Sequence, residues 1–239
     1  MTIYNSVIEM IGNTPMLALR TFDTGPCRLL LKLENQNPGG SIKDRIGLSM
    51  IEATAGNTGL GLALVAAQKG YKMLVIVPDK MSQEKIFHLN ALGAQVMMTR
   101  SDVTKGHPDY YQDVAERLAG EMDNSLWVNQ FANPANPQAH EDGTGREICA
   151  QTDGRIDAMV CGVGSGGTIS GLARFFQSVK PSMEMVLADP EGSILAGEGV
   201  LAGSSAGTLL AAALRYCREQ TEPKTMVTLI PDSGNKYLS

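Results

Sequence analysis

Asp157–Cys161 is a near-continuous apolar run that passes through Gly162-Val163-Gly164-Ser165-Gly166-Gly167-Thr168 straight into the helical pattern Ile169–Ser178. A strand without a polar face has to be covered on both sides. A tight glycine turn from such a strand into a helix therefore points to a parallel sheet wrapped by helices. The same alternation recurs along the chain. Met73–Val77, Gln95–Thr99, Leu126–Gln130, Met185–Ala188 and Met226–Ile230 read as strands. Ser82–Leu92 (closed by Gly93), Asp109–Glu121, Gln138–Gln151 and Ala206–Glu219 read as helices. Upstream lie a short amphipathic start, Ser6–Ile11, the turn Gly12-Asn13-Thr14-Pro15 and the strand Arg28–Leu33. The pattern predicts a mostly parallel, doubly wound α/β architecture.

The alternation breaks twice. Ser41–Ala53 has Ile42, Ile46 and Met50 at helical spacing, with Ser41 as a cap, and Thr54-Ala55-Gly56-Asn57-Thr58-Gly59 leads at once into a second helical run, Leu60–Lys69. A strand belongs between two such helices, and the sequence holds none. A second break lies near Ala196-Gly197-Glu198, between the strand ending at Asp189-Pro190 and the next helix. Two segments are expected to be absent from the chain at these points.

The formal net charge of −5, without a basic run, argues against nucleic acid or an anionic membrane surface as partner. No apolar run approaches the length of a membrane span, and the N-terminus does not read as a signal peptide. Cys27, Cys149, Cys161 and Cys217 have no CxxC spacing and read as reduced, largely packed thiols, so a cytoplasmic protein is expected. His88, His107 and His140 show no metal-ligand spacing, and no metal site is expected.

Four stretches carry candidate chemistry. In Pro38-Gly39-Gly40-Ser41-Ile42-Lys43-Asp44-Arg45 a lysine sits just inside a helix start behind two glycines. Lysine forms a Schiff base with a carbonyl once its ammonium loses a proton, and the positive field of a helix N-terminus favours that loss. Lys43 is thus a candidate covalent anchor, against the plainer reading of a solvated helix lysine. The loop Gly162–Thr168 offers free backbone N–H groups at a helix start, a design for phosphate. It satisfies GxGxxG, and Asp189 stands 22 residues after Gly167, as in a dinucleotide site. A single phosphate fits the same cup. Only the second option gives Lys43 a role. Thr54–Gly59 can hold a carboxylate or serve as an ordinary cap. In Gly203-Ser204-Ser205-Ala206-Gly207 a serine can cap the helix or meet a heterocycle nitrogen, but the GxSxG elbow of a hydrolase is absent.

The order Gly-Gly-Ser-Ile-Lys43-Asp-Arg, Thr-Ala-Gly-Asn57-Thr-Gly, Gly164-Ser-Gly-Gly-Thr168 and Gly-Ser-Ser205-Ala-Gly resembles the fold-type II pyridoxal phosphate enzymes. More narrowly, it resembles the cysteine synthase and cystathionine β-synthase family. Ile11-Gly12-Asn13-Thr14-Pro15-Met16, Gln130-Phe131-Ala132-Asn133-Pro134-Ala135-Asn136-Pro137 and Pro231-Asp232-Ser233-Gly234 extend the likeness over nearly the whole chain. Asp189–Leu195 and Lys80–Lys85 look more like the cystathionine β-synthases.

The resemblance implies two α/β domains with pyridoxal 5′-phosphate between them. Residues 39–137 would form the smaller, mobile domain, and residues 1–38 with 138–239 the larger. Lys43 would anchor the cofactor and shuttle the substrate's α-proton. Asn57 would bond its ring hydroxyl, Gly164, Ser165, Gly166, Gly167 and Thr168 would cradle its phosphate, and Ser205 would face its ring nitrogen. Thr54, Ala55, Asn57, Thr58 and Gln130 would surround the substrate carboxylate. A neutral serine at the ring nitrogen makes the ring a weaker electron sink, which favours prompt loss of a β-leaving group and attack by a thiol. The implied reaction is replacement on serine, or an activated serine such as O-acetylserine, by homocysteine to give cystathionine. Sulfide is the alternative thiol, and a dinucleotide oxidoreductase the more distant reading. The resemblance also implies a homodimer acting on small amino-acid and thiol substrates. Two departures stand out: Ala55 replaces a frequent serine, and the glycine-rich segment before the Ser205 loop is missing.

Overall fold

The computed structural model describes residues 3–45, 57–189 and 205–232. In chain order the elements are β1 Met16–Ala18, β2 Arg28–Lys32, α1 Asn57–Lys69, β3 Leu74–Pro78, α2 Gln83–Ala91, β4 Gln95–Thr99 and α3 Tyr111–Glu121. There follow α4 Ala135–Ala139, a π-helical stretch His140–Gly145, α5 Arg146–Gln151, β5 Ala158–Cys161, α6 Gly167–Val179, β6 Glu184–Leu187, α7 Ser205–Arg218 and β7 Thr225–Leu229. Residues 43–45 are helical as well. The chain divides into two compact units. One comprises Met1–Ile11 and Lys43–Asn136, the other Gly12–Ile42 and Pro137–Leu238.

The second unit is built on a five-stranded sheet in the order β1-β2-β7-β5-β6. Its ladders are parallel except for β1, which runs antiparallel to β2 with Met16 opposite Lys32. β5 lies between β6 and β7, and all four of its residues are buried, which explains its unbroken apolar sequence. Leu29, Ile148, Ile156, Met159, Leu172, Phe176 and Met226 fill the core around it. The expected helix Gln138–Gln151 is the C-terminal part of one helical run over α4, the π stretch and α5. It packs against α6 through glycines. A Cβ on Gly171 would lie 2.1 Å from the Pro137 carbonyl oxygen, and one on Gly145 would lie 2.8 Å from the Phe175 ring. The wider π turn falls at this close crossing, as π bulges often do near functional residues.

The first unit carries a parallel sheet of two strands, β3 and β4, in register from Leu74 opposite Gln95 to Pro78 opposite Thr99. Leu60, Leu62, Val75, Val77 and Leu89 pack on one side, and Ile76, Val114 and Ala115 on the other. α2 closes as its sequence predicts. Gly93, at φ +83°, donates its N–H to Asn90, and Ala94 donates to Leu89. The expected strand Leu126–Gln130 is not formed. The stretch has strand composition, but β3 has β4 as its ladder partner and no other strand among the described residues pairs with it. A strand is defined by its ladder, and this one has no neighbour to make it.

Replacing Gly171 by Ala should destabilise the protein by at least about 1–3 kcal/mol, because backbone rather than side chain must yield. Replacing Gly120 by Ala, in the exposed last turn of α3 where an added Cβ meets nothing within 4 Å, should stabilise by about 0.5–1 kcal/mol. Thermal unfolding of the two variants beside the parent checks the pair.

Candidate active site

The approach to Lys43 begins on β2 with a buried charge. Lys32 is fully buried, and its Nζ donates to the Thr14 carbonyl at 2.6 Å, to Glu147 Oε2 at 2.7 Å and to Gln151 Oε1 at 2.9 Å. Thr14 in turn donates its hydroxyl to buried Glu34 at 2.6 Å, and Asn37 Nδ2 donates to the Glu34 carboxylate and carbonyl. The Gly12 N–H reaches Asn37 Oδ1 at 2.9 Å. This network fixes the Gly12–Thr14 turn against Glu34–Asn37. From Asn37 a tight turn follows, closed by the Gly40 N–H on the Asn37 carbonyl, with Gly40 at φ +73°. Ser41 then bridges Asp232, and the Ile42 N–H donates to the Pro231 carbonyl at 2.8 Å, beyond the end of β7. Lys43 is the next residue.

Within the first unit, α1 packs directly on the backbone that carries Lys43. A Cβ on Gly61 would lie 2.9 Å from the Lys43 carbonyl oxygen and 3.1 Å from the Asp44 Cα. Desolvation by burial lowers the Lys43 pKa from 10.5 to about 8, so the neutral amine is a minority form near physiological pH but far more populated than in an ordinary lysine. Asn57 and Thr58 open α1. The Thr58 hydroxyl donates to Gln130 Oε1 at 2.7 Å, and Asn136 Nδ2 fixes the Gln130 carbonyl at 2.8 Å. Thr58 and Gln130, 72 positions apart in sequence, thus meet in the fold. Thr54 and Ala55 lie outside the described residues.

In the second unit the glycine loop leaves β5 and caps α6. Gly166 holds φ +82°, a left-handed conformation that suits glycine, and its carbonyl accepts from the Ser170 N–H at 3.0 Å. Added Cβ atoms on Gly164 and Gly166 would meet nothing within 4 Å. The loop is therefore an open cup at the N-terminus of a 13-residue helix. Thr168 Oγ1 lies 3.2 Å from Nε2 of fully buried His140, whose Nδ1 lies 3.0 Å from Thr144 Oγ1. With the proton on Nε2, His140 donates to Thr168 and accepts from Thr144. The Thr168 hydroxyl proton is then left to donate to an anion in the cup. Burial pushes the Cys161 thiol, just before the loop, up to about 12, which makes it inert. Ser205 is the first residue of α7.

Two contributors escape the sequence pattern. His140 stands out there only as a possible metal ligand, and its link to Thr168 spans 28 positions with no local signal. Gly61 does carry a signal, because a glycine inside a strongly helical run calls for a close approach.

The model of the family described as "Pyridoxal-phosphate dependent enzyme" matches residues 7–197. Cystathionine beta-synthase of Apis mellifera is 34% identical over 98% of this chain and 60% of its own length. The enzyme of that name from Dictyostelium discoideum is 43% identical over 81% of this chain and 42% of its own. The chain thus spans about half the length of these curated relatives. Cysteine synthase of Staphylococcus aureus is 35% identical over 98% of this chain and 96% of its own length. Among solved structures, an O-acetylserine dependent cystathionine beta-synthase from Helicobacter pylori superposes with a TM-score of 0.91 at 29% identity. It covers 100% of this chain and 98% of that one.

The same relatives measure the broken alternation. The Apis alignment runs over 303 positions, whereas 98% of 239 residues is about 234, so about 69 positions lack a counterpart in this chain. The Dictyostelium alignment runs over 211 positions against 81% of 239, about 194, leaving about 17. Any stretch of 194 residues in this chain spans the break between residues 53 and 54. That break accordingly accounts for at most about 17 positions. The open cup, the helix N-terminus and the partly neutral lysine fit a phosphate-bearing aldehyde cofactor, and the family match sets aside the dinucleotide reading of GxGxxG.

Folded Lys43 releases its proton near pH 8, against 10.5 for an ordinary lysine, so between these the folded state binds fewer protons and stability rises with pH. The shift corresponds to about 3 kcal/mol of destabilisation, present in full below about pH 8 and gone above about pH 10.5. The cofactor-free Lys43→Met variant should therefore be more stable than the parent at pH 7, by up to about that amount, with the gap closing toward pH 10.5. Denaturant titrations across this range check it; a pH-independent gap would rule out desolvation of the ammonium as the cause.

Proposed function

This chain belongs to the pyridoxal-phosphate dependent enzyme family, and we propose that it replaces the β-substituent of serine, or of an activated serine such as O-acetylserine, with a thiol. Homocysteine is the thiol we assign, with cystathionine as product. The observation that carries the reading is Lys43. It is a lysine at a helix start whose amine, through burial, titrates near pH 8 rather than 10.5. A lysine so placed can both hold a carbonyl carbon and move a proton at neutral pH. When bound, the cofactor supplies an electron sink that acidifies the substrate's α-carbon and labilises its β-substituent.

Each residue then has a task. Lys43 holds the cofactor and carries the α-proton off and back. Gly164, Ser165, Gly166, Gly167 and Thr168 hold the phosphate, with His140 setting the direction of the Thr168 hydroxyl. Asn57 bonds the ring hydroxyl, and Ser205 meets the ring nitrogen as a neutral partner. Thr54, Ala55, Asn57, Thr58 and Gln130 hold the substrate carboxylate, and the Thr58–Gln130 bond pre-orients two of them. In this reading residues 39–137 work as a smaller domain that moves on substrate binding, and residues 1–38 with 138–239 as the larger one. The active form is a cytoplasmic homodimer. None of the described helices is long and apolar enough to cross a membrane.

One observation favours sulfide as the thiol. The chain spans 96% of the Staphylococcus aureus cysteine synthase, against 60% and 42% of two cystathionine beta-synthases. The short segments Lys80–Lys85 and Asp189–Leu195 support homocysteine.

Incubation with pyridoxal phosphate followed by borohydride should place the label on Lys43 by peptide mass, and Lys43→Ala should take none there. The loaded protein, given serine or O-acetylserine with homocysteine, should form cystathionine. Cysteine from sulfide, with no cystathionine from homocysteine, would move the assignment to cysteine synthase. Label uptake without either product would refute β-replacement and leave cofactor binding alone.

A further inference from the structure

In the first unit a cleft of about 390 Å³ opens between the start of β3 and the stretch that follows α3. Tyr71, Leu74 and Ile76 line one side; Met122, Leu126 and Trp127 line the other. Tyr71, Met122 and Leu126 are each more than half exposed, at 52%, 51% and 67%, so the mouth is apolar and faces outward. Ile76, farther along the same face of β3, is buried, whereas Tyr71 is exposed, so the cleft opens toward the Tyr71 end. An apolar cavity of about 150 Å³ holds one benzene. This cleft has room for two or three groups of that size.

Three independent observations say what shape belongs there. The sequence calls for a strand between the helical patterns 41–53 and 60–69 and has none. About 17 positions of the Dictyostelium relative lack a counterpart, in an alignment that has to span that break, and 17 residues suffice for a turn and a strand as long as β3. Finally, Leu126–Gln130 has strand composition without a ladder, and β3 pairs among the described residues only with β4. A parallel sheet of two strands is below the size that ordinarily stands alone. The cleft lies between β3 and the 122–127 stretch, and among the described residues no strand joins the two.

We propose that this cleft is an acceptor for an extended peptide strand supplied by another molecule, running beside residues 71–74 and placing alternate apolar side chains into the space. In such augmentation the main chain of the guest contributes hydrogen bonds and its alternate side chains give specificity. Leu74 and Ile76 share a face two residues apart, so the guest needs apolar residues at the same spacing. The inference stands on the first unit alone and does not depend on the chemistry at Lys43.

Trp127 is the only tryptophan in the chain and lines the cleft, so its emission reports directly. The probe is a soluble hexapeptide alternating Val or Ile with Lys or Thr; its control has the same composition with the apolar residues grouped. The alternating peptide should shift Trp127 emission to the blue, saturably, and raise the unfolding temperature. The control should bind at least tenfold more weakly, and Met122→Glu, a change at the exposed mouth, should abolish the shift without unfolding the protein. Equal responses to both peptides would reduce the cleft to a nonspecific apolar surface and overturn the proposal. No saturable response at millimolar peptide would do the same, as would a blue shift that grows with protein concentration alone and identifies a second copy as the occupant.

Discussion

A lysine that water cannot reach fixes the framework of the second unit. A charge moved out of water is costly unless it is paired and fully hydrogen-bonded. Lys32 meets that demand with a carbonyl from the Gly12–Thr14 turn, a carboxylate and an amide from α5. Together with β2, which carries the lysine, these partners join three regions of sequence, so satisfying one ammonium fixes the register of all three. Breaking such a buried pair by removing one partner typically costs about 3–5 kcal/mol. Glu34, buried two residues on, extends the arrangement to Thr14 and Asn37. The turn through Gly40 to Ile42 starts from this fixed point and is held at its far end by the Ile42 N–H on the Pro231 carbonyl.

Lys32 and Lys43 show how one residue type is put to two uses by environment. Both are removed from much of the solvent. At Lys32 three oxygens surround the Nζ, one of them from the Glu147 carboxylate. For Lys43 desolvation dominates, and the amine titrates at about 8 rather than the ordinary 10.5. Burial lowers the pKa of an amine, whereas oxygens placed around an ammonium favour its charge.

Much of this was legible in the sequence because its signals were local. Unbroken apolar runs marked β5 and β7, glycines marked Gly40, Gly93 and the cap of α6, and the order of the small-residue loops marked the chemistry. What was not legible depended on partners distant in sequence. Leu126–Gln130 has every local mark of a strand, and composition cannot report that the neighbouring ladder is missing. β1 is three residues long and exists because Lys32 and its neighbours offer an edge to pair with. The π-helical turn follows directly on the place where Gly171 approaches the Pro137 carbonyl, residues 34 positions apart in sequence. His140 is a histidine without a role until Thr168 stands beside it.

The two breaks in the alternation do not weigh equally on the two units. The second unit retains a five-stranded sheet with its most buried strand flanked on both sides and a continuous core. Among the described residues the first has two paired strands and two small apolar clusters, with Tyr71, Met122 and Leu126 exposed. Sheet stability grows with strands because each interior strand is paired and covered on both sides, whereas a two-stranded sheet consists of edges. Loss of one strand therefore removes a larger share of cohesion from the first unit than it would from the five-stranded sheet of the second. Thr58 and Gln130, which the proposed chemistry assigns to the substrate carboxylate, are held in this less complete unit by their own hydrogen bond and by Asn136. The Gly164–Thr168 cup stands on the intact sheet. In the proposed reading the residues assigned to the phosphate therefore rest on a five-stranded sheet, and Thr58 and Gln130 on a unit whose described sheet has two strands.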